Sequence, residues 1–454
     1  MEHYCHWLWH TITVLSDGNV TCGLDDPHGK RSYGNVNEAR ITDILNTDEM
    51  QKRRENLKSG VLCDSCDLYS PINSAPLHER KVSQFPGHLV IEPTVSCNLR
   101  CPQASCIPNN DPQMKTRSCR TMRLSTFKEV IDDLSPYLGM IYFFNYGEPF
   151  LHPQSGEMLL YAREKCPDAR IETSTNGIML SRKSLAQKVV DSRIDKMTFT
   201  IGGASQETYE KYHVRGSLEK ALEGMRNIVE LKNQANQESP EVYWRYLTFH
   251  WNDSMEEIAR AKEIAQNVGV DTLKFHLTNC PPGSASQRLA PGQSGFREIA
   301  GQVDFAHGYL DSVPDGNGLY KEEYHPSLGS FQWTSQKATL FCSDGDLISL
   351  TSLGRRAEDP GITLRTPWET RRIRSGLTDW SHFKIRAPEN YKPDPEKLIP
   401  IKLEIDKSFI PTKYGVDDHR ILGVQVRRTP DYVEEAKRTS SFNLASLVRQ
   451  PVSH

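Results

Sequence analysis

The chain has 454 residues, too many for one ordinary hydrophobic core, so we expect one large domain with smaller appendages. Its net charge of −3 and pI near 6.6 exclude the broad basic surface that dominates nucleic-acid binding. No apolar run reaches the roughly 20 residues that span a bilayer, and the first residues lack the pattern of a secretion signal. We therefore expect a cytoplasmic protein that binds neither nucleic acid nor a membrane.

Residues 1–80 are rich in Cys, Gly and Asp and show no alternation of strand and helix patterns. Cys5, Cys22, Cys63 and Cys66 supply a complete ligand set for one closed metal centre. Both zinc knots and iron–sulfur clusters use CxxC pairs such as the CDSC found here, so the sequence leaves both zinc and an iron–sulfur cluster as candidates. We predict a small metal-stapled module over this segment.

Residues 81–300 alternate β-rich runs with helical patterns, which predicts a parallel sheet with right-handed crossovers, open or closed into a barrel. Ser217 can cap one of the helices. In such folds ligands gather at the C-terminal ends of the strands. The six predicted strands are HLVIEP, MIYFFN, RIETST, KMTFTI, VYWRYLTF and TLKFHLT.

Residues 301–454 form a third predicted region, of mixed or β-rich structure, which could cover the substrate. The runs DLISLTSL, KLEIDKSF and RILGVQVRR have the composition of strands. The segment PPGSASQRLAPGQSG before them reads as a loop or linker.

Three thiols follow the first predicted strand within the stretch VSCNLRCPQASC: Cys97, Cys101 and Cys106. Three thiolates give a four-iron cluster three ligands and leave the fourth iron open for chemistry. Structural zinc sites have four protein ligands and no open coordination position, and no fourth ligand is obvious nearby. Cys119, further along the loop, is an alternative to Cys106 as the third ligand. We predict a site-differentiated cluster at this strand end.

Here the sequence resembles the radical S-adenosylmethionine (SAM) superfamily, whose usual pattern is Cys, three residues, Cys, two residues, Cys. This chain keeps CNLRC but continues with PQASC, so its third thiol comes two residues late. NYGEPFLHP resembles the GGEP motif of the family, ETSTNG its third-strand motif, and QETYEKYHVRGSLEKALEGMRNI the segment after its fourth strand. The resemblance implies a partial (β/α)6 TIM-like barrel. The residues that it implies for binding SAM are Tyr146, Gly147, Glu148, Pro149, Ser174, Asn176 and Arg215.

The amino-terminal cysteines, with a hairpin bearing Gly18, resemble the SPASM or shorter twitch module of the same superfamily. That resemblance implies an auxiliary 4Fe–4S cluster held by Cys5, Cys22, Cys63 and Cys66. The module normally follows the barrel, whereas here it precedes it. The implied cofactors are therefore a SAM-binding 4Fe–4S cluster, SAM and an auxiliary 4Fe–4S cluster.

The resemblance also implies the reaction: reductive cleavage of SAM to a 5′-deoxyadenosyl radical that removes hydrogen from an unreactive C–H bond. The implied electron donor is a protein such as flavodoxin or ferredoxin. We expect a polar, carbohydrate-type small-molecule substrate, because no domain for gripping a leader peptide is evident before the barrel. Arg245 and Trp244 alternate along VYWRYLTF, which fits a substrate face and equally an ordinary half-buried strand.

Two outcomes of the implied reaction stay open, and so do two other classes of protein. Epimerisation needs a hydrogen donor, for which Cys342 and Cys280 are the candidates; oxidation would pass an electron onward to the auxiliary cluster. Where the family often carries an acidic residue after its fourth strand, this chain has Gly202. The alternatives are a peptide-modifying maturase and a metal-stapled scaffold without catalysis.

Overall fold

The structure is a computed structural model, and the residues that it describes form an α/β unit followed by a β-rich unit. The described residues are 3–4, 6–22, 26, 28–29, 31–61, 70–71, 85–102, 111, 114, 117–291, 293–306, 309–313, 318–325, 329–351, 361–374, 380–391, 398–406, 420 and 422–429. Contacts between residues divide the chain into two compact units, Met1–His276 with Gly301–Asp304, and Leu277–Ala300 with Phe305–His454. The predicted boundaries at residues 80 and 300 stay predictions.

The amino-terminal segment contains short strands and helices. Its strands β2 and β3 form an antiparallel hairpin whose turn contains Gly18. Gly18 has φ +88°, and a Cβ there would lie 2.2 Å from Asn37 Nδ2, so only glycine fits this turn. The elements are β1 (His3–Tyr4), α1 (His6–Trp9), β2 (Thr11–Val14), β3 (Asn19–Thr21), β4 (Gly34–Asn35), α2 (Ile41–Leu45), α3 (Asp48–Lys58) and β5 (Ser70–Pro71).

The predicted alternation of strands and helices is confirmed in the middle of the chain. The strands are β6 (His88–Ile91), β7 (Met140–Tyr142), β8 (Arg170–Thr175), β9 (Lys196–Thr200), β10 (Glu241–Thr248) and β11 (Thr272–Leu277). The helices are α4 (Leu124–Leu134), α5 (Ser155–Lys165), α6 (Lys183–Asp191), α7 (Gln206–Glu210), α8 (Leu218–Gln234) and α9 (Met255–Val268). Short 3-10 turns cover Pro149–Leu151 and Ile178–Ser181.

One ten-stranded sheet carries these strands, in the order β12–β11–β10–β9–β8–β7–β6–β2–β3–β4, where β12 is Val303–Phe305. The neighbouring pairs from β6 to β10 are parallel, as predicted. Strand β2 pairs in parallel with β6, in the register Thr11 to His88. The predicted amino-terminal module therefore shares the sheet of the central region.

Local sequence explains how the helices start and which face they bury. Ser217 caps α8 as predicted, since its hydroxyl accepts a hydrogen bond from the Lys220 amide at 3.3 Å. Ser254 caps α9 in the same way, and α9 ends at Gly269 in the left-handed conformation. One apolar stripe of α8 is buried, as the 3.6-residue period requires. None of the helices in the described part of the chain combines the length and the apolarity needed to cross a membrane.

The second unit is β-rich, in agreement with the prediction. Its two antiparallel sheets have the orders β13–β14–β21–β16–β19 and β15–β20–β17–β18. Between them lies an apolar core that includes Leu350, Ile401 and Leu403. The elements are α10 (Tyr309–Ser312), β13 (Glu323–His325), β14 (Gly329–Trp333), β15 (Lys337–Cys342), β16 (Leu347–Thr351), β17 (Gly361–Arg365), β18 (Thr370–Arg374), β19 (Ser381–Lys384), β20 (Ile399–Ile405) and β21 (Gln425–Thr429), after a 3-10 turn at Ser294–Ile299.

Candidate active site

The loop with the predicted cluster ligands leaves the sheet at the C-terminal end of β6. Cys97 and Cys101 lie on it, and both are half-buried. Cys106 lies outside the described residues. Half-buried thiols four positions apart at a strand end fit the donor chemistry of an iron–sulfur cluster, because thiolates are its usual ligands.

Three segments that follow other strands hold this loop in place. The Glu148 amide donates to the Ser96 carbonyl at 2.8 Å, and Asn176 Nδ2 donates to Asn98 Oδ1 at 3.0 Å. The Arg100 amide donates to the Val214 carbonyl at 3.0 Å. Segments predicted separately to bind SAM thus meet at one edge of the sheet, around the cysteine loop.

Gly147 marks the closest approach between two of these segments. A Cβ at this position would lie 2.1 Å from the Thr94 carbonyl oxygen and 2.8 Å from that of Ser96. Any larger residue would push the loop after β7 away from the cysteine loop. This contact explains a glycine at the position on packing grounds, while its predicted role in binding SAM stays a prediction, as does that of Tyr146 beside it.

Glu148 is buried, and its carboxylate ties the loop after β7 to the end of β8. Its oxygens accept hydrogen bonds from the Thr175 hydroxyl at 2.7 Å, the Asn176 amide at 2.8 Å and the Phe150 amide at 3.2 Å. Burial raises the pKa of the Glu148 carboxyl to about 7, against the opposing effect of these three donors. A carboxylate has about four acceptor positions, so about one remains for a ligand. Pro149 follows in the 3-10 turn and is buried.

Ser174 and Arg215 belong to segments that are hydrogen-bonded to the cysteine loop. The Ser174 hydroxyl is half-buried and lies 3.4 Å from the Thr200 hydroxyl. Arg215 is exposed, has φ +70°, and follows Val214, whose carbonyl binds the cysteine loop. A cation and a hydroxyl are groups that suit the carboxylate and ribose of SAM. Their assignment stays a prediction.

Sequence reasoning missed His213, a buried histidine beside the cysteine loop. Its Nε2 accepts the Gly202 amide at 3.0 Å, so the neutral ring carries its proton on Nδ1, which has no partner in the described part of the chain. The ring stacks on Tyr209 with centroids 4.6 Å apart. Burial lowers the pKa of His213 to about 3. No local pattern distinguishes it from a surface histidine.

His213→Gln is expected to reduce the acid sensitivity of the fold. The pKa of the wild-type histidine is lower in the folded chain than in the unfolded chain. The stability that the neutral histidine contributes to the folded chain is therefore fully present above pH 6.5 and is lost as the pH falls toward 3. Between pH 7 and pH 5 the loss amounts to about 2 kcal/mol. Glutamine can accept the same amide without titrating, so urea unfolding curves of the variant should shift less between these pH values.

The matched control is His250→Gln, since this exposed histidine lies in the same unit. Its unfolding should depend on pH as the wild type does. If His213→Gln also behaves as the wild type, His213 is not held neutral by burial.

Sequence reasoning also missed a buried ionic network beneath the loop after β7. Glu92 is fully buried, and its Oε1 lies 3.2 Å from Arg117 Nη1, which is 3.4 Å from Asp17 Oδ1 in the hairpin of β2 and β3. Glu92 also accepts the Ser16 amide at 3.0 Å and Asn145 Nδ2 at 3.2 Å. The network joins the amino-terminal hairpin to the region of the SAM motif. The only sign of this network in the sequence is Glu92, a charged residue directly after the apolar strand β6.

Of the four amino-terminal cysteines, the structure describes only Cys22. It follows β3 directly and is half-buried. Cys5, Cys63 and Cys66 lie outside the described residues, so the predicted ligand set stays a prediction.

The two predicted hydrogen donors differ in exposure. Cys342 is fully buried in the apolar core of the second unit, where β15 pairs with β20. Cys280 is exposed, shortly after β11. Enclosure among aliphatic side chains favours a packing role for Cys342 over hydrogen transfer.

Two family models match the chain where the sequence motifs were found. Residues 91–261 match the radical SAM superfamily, and residues 5–67 match the SPASM iron–sulfur cluster-binding domain. The chain belongs to the radical SAM superfamily. The two models imply a SAM-binding 4Fe–4S cluster, SAM itself and auxiliary iron–sulfur binding, as the sequence predicted, and they place the SPASM domain ahead of the radical SAM domain.

Two curated relatives are similar to this radical SAM chain over part of its length. Fe-coproporphyrin III synthase of Methanosarcina barkeri is 32% identical over 178 residues, 36% of this chain and 42% of the relative. The tungsten-containing aldehyde ferredoxin oxidoreductase cofactor-modifying protein of Pyrococcus furiosus is 24% identical over 239 residues, 52% of this chain and 59% of the relative. The chain therefore spans only about half the length of each.

Solved structures overlap with the chain partially. Methylornithine synthase has a TM-score of 0.31 at 14% identity and covers 41% of this chain and 52% of its own. BtrN in complex with AdoMet and 2-DOIA has a TM-score of 0.26 at 22% identity and covers 35% of this chain and 55% of its own.

Proposed function

We propose that this protein is a radical SAM oxidoreductase or epimerase acting on a polar, carbohydrate-type small molecule. When bound, the reduced cluster and SAM supply a 5′-deoxyadenosyl radical that takes hydrogen from the substrate. The observation that carries the proposal is the junction of the cysteine loop with the segments after β7, β8 and β9, through Ser96, Asn98 and Arg100. This junction would hold the reacting groups of cofactor and substrate in fixed positions, as hydrogen abstraction requires.

The chain's own residues have separate tasks in this proposal. Cys97 and Cys101, with Cys106, would hold the cluster and leave one iron for SAM. Glu148 fixes the loop after β7 through its three hydrogen bonds, so that the backbone of this loop can receive an ammonium group. The further groups that would contact SAM are Tyr146, Gly147, Pro149, Ser174, Asn176 and Arg215.

The fate of the substrate depends on whether a hydrogen donor is available. The burial of Cys342 favours oxidation over epimerisation through that thiol, while the exposed Cys280 stays a candidate donor. For oxidation, an auxiliary cluster at Cys5, Cys22, Cys63 and Cys66 would accept the electron. A flavodoxin or ferredoxin in the cytoplasm would reduce the SAM-binding cluster.

Reductive SAM cleavage is the first test of this proposal. Anaerobically reconstituted protein with dithionite should convert SAM to 5′-deoxyadenosine and methionine, faster in the presence of a small-molecule extract. A scaffold without catalysis would form neither product.

Reaction in deuterated water separates the two outcomes. Epimerisation through Cys280 places solvent deuterium in the product, and Cys280→Ala should abolish that label, with Cys119→Ala as the exposed-thiol control. A product without deuterium but with two fewer hydrogens indicates oxidation. Label that persists in Cys280→Ala would contradict Cys280 as the donor.

A further inference from the structure

The central sheet has one face covered by helices and an opposite face with polar side chains. Phe199 lies near Gly177 at the start of the turn that α8 packs on, and the Tyr246 hydroxyl lies 3.4 Å from Glu257 of α9. Side chains alternate along a strand, so Thr200 and Arg245 project from the opposite face. We call this side of the sheet, which carries Thr200 and Arg245, the inner face.

The inner face continues onto β11. Phe275 packs against Tyr246 with ring centroids 5.4 Å apart, which places Phe275 on the helix side and His276 on the inner face. Arg245 acts electrostatically on His276, whose pKa is lowered chiefly by burial and then by this cation. The two side chains are therefore neighbours, and the histidine is neutral near pH 7.

Arg245 differs from the other cations of this face. It is half-buried, yet its guanidinium makes neither an ion pair nor a hydrogen bond within the described part of the chain. The other cations have partners: Arg170 has Glu172 at 2.6 Å, Lys196 has Glu241 at 3.9 Å, and Lys274 donates to the Gly301 carbonyl at 2.9 Å. The nearest acid of β12, Asp304, accepts the Tyr243 hydroxyl. A half-buried guanidinium without a counter-ion favours an anionic ligand.

The position of Arg245 relative to the SAM motif sets the size of that ligand. Arg245 is directly opposite Thr200 in the β9–β10 register, and Thr200 contacts Ser174 on β8. Ser174 itself is opposite Thr198, so two strand spacings and two positions along the strand separate Arg245 from Ser174, roughly 12 Å at the backbone. The Arg245 side chain takes up part of that distance, and the rest is suited to a small molecule with one end at the cation and a C–H bond near the residues proposed to hold SAM.

We propose that Arg245 binds a carboxylate of the substrate, so that the substrate is an acidic small molecule, such as a sugar acid, rather than a neutral sugar. This inference rests on the proposed function and deepens it. The Thr200 hydroxyl lies between the anchor and Ser174 at the SAM end, where it can bind a substrate hydroxyl. The fork of Arg245 suits a carboxylate because its two N–H donors match the two oxygens.

The test uses deuterium transfer from substrate into 5′-deoxyadenosine. The organism that naturally makes this protein is grown in deuterated medium, and its small molecules are extracted. Anion-exchange resin splits the extract into a retained acidic fraction and an unretained fraction. Holoenzyme with SAM and reductant should form deuterated 5′-deoxyadenosine with the acidic fraction. Arg245→Gln should lower the labelling rate at limiting extract by at least about 30-fold, and Arg245→Lys by less, since it keeps the charge but loses the fork.

Controls separate the failure of this inference from failure of the proposed function. Arg260→Gln, at an exposed position of α9, should label at the wild-type rate. Label from the unretained fraction, or undiminished label with Arg245→Gln, overturns the carboxylate anchor while the proposed function stands. Label from neither fraction overturns the proposed small-molecule reaction itself. A loss of the SAM-induced change in the EPR spectrum of Arg245→Gln would show that this arginine binds SAM instead, which also overturns the inference.

Discussion

Cys101→Ser is expected to abolish SAM cleavage and the SAM-responsive EPR signal of the reduced cluster. Serine keeps the size of the side chain, but its hydroxyl does not ionise near neutral pH and is a poor iron ligand, whereas the thiolate is the group that binds the metal. Cys97→Ser should have the same effect. The measurement is 5′-deoxyadenosine formation by anaerobically reconstituted protein, together with iron content and EPR.

The matched control is Cys119→Ser, because this thiol follows the same loop but is exposed and donates to the Thr121 carbonyl at 2.9 Å. It should retain cleavage, while Cys106→Ser should lose it. The reverse result for these two variants would show that Cys119 is the third ligand. Cleavage that survives in Cys97→Ser and Cys101→Ser would refute the cluster assignment altogether.

Much of the central fold could be predicted because its strands are apolar runs flanked by helices with a clear 3.6-residue period. The pairing of β2 with β6 could not, since β2 has only four residues, Thr11–Val14, and its partner lies far along the chain. Such a short run has no period that separates a strand of the main sheet from a strand of a separate module. The local sequence therefore does not show that the amino-terminal strands join the main sheet, because this pairing connects residues far apart in the chain.

In the candidate site, too, some residues could be predicted from the sequence and others could not. Local motifs located the cysteine loop, Gly147 and Asn176, because each lies at the end of a predicted strand. Arg117 and His213 had no local signal, since their partners are close only in the folded chain. Arg245 stands out in the sequence only for its alternation with Trp244. That it has no counter-ion among the described residues shows only when the neighbouring strands are in place.

Arg117→Ala is expected to destabilise the folded protein by about 3 to 5 kcal/mol. The side chains of Asp17 and Glu92 are only 4% and 0% exposed. Removing the arginine leaves two buried carboxylates without the cation between them. Because Glu92 also binds Asn145 Nδ2, the loop after β7 should loosen and the affinity for SAM should fall. Urea unfolding measures the first effect, and titration of the EPR signal with SAM measures the second.

Arg40→Ala is the control for an arginine whose own side chain lies at the surface. Arg40 is paired with Asp133 and its side chain is 72% exposed, so its loss should cost much less stability than the loss of Arg117 and leave SAM affinity unchanged. Arg117→Lys keeps a buried cation and should fall between the two, which preserves the comparison if the alanine variant does not fold. Equal stability of the Arg117 and Arg40 alanine variants would mean that water reaches the network. The amino-terminal hairpin would then not be coupled to the SAM motif through buried charge.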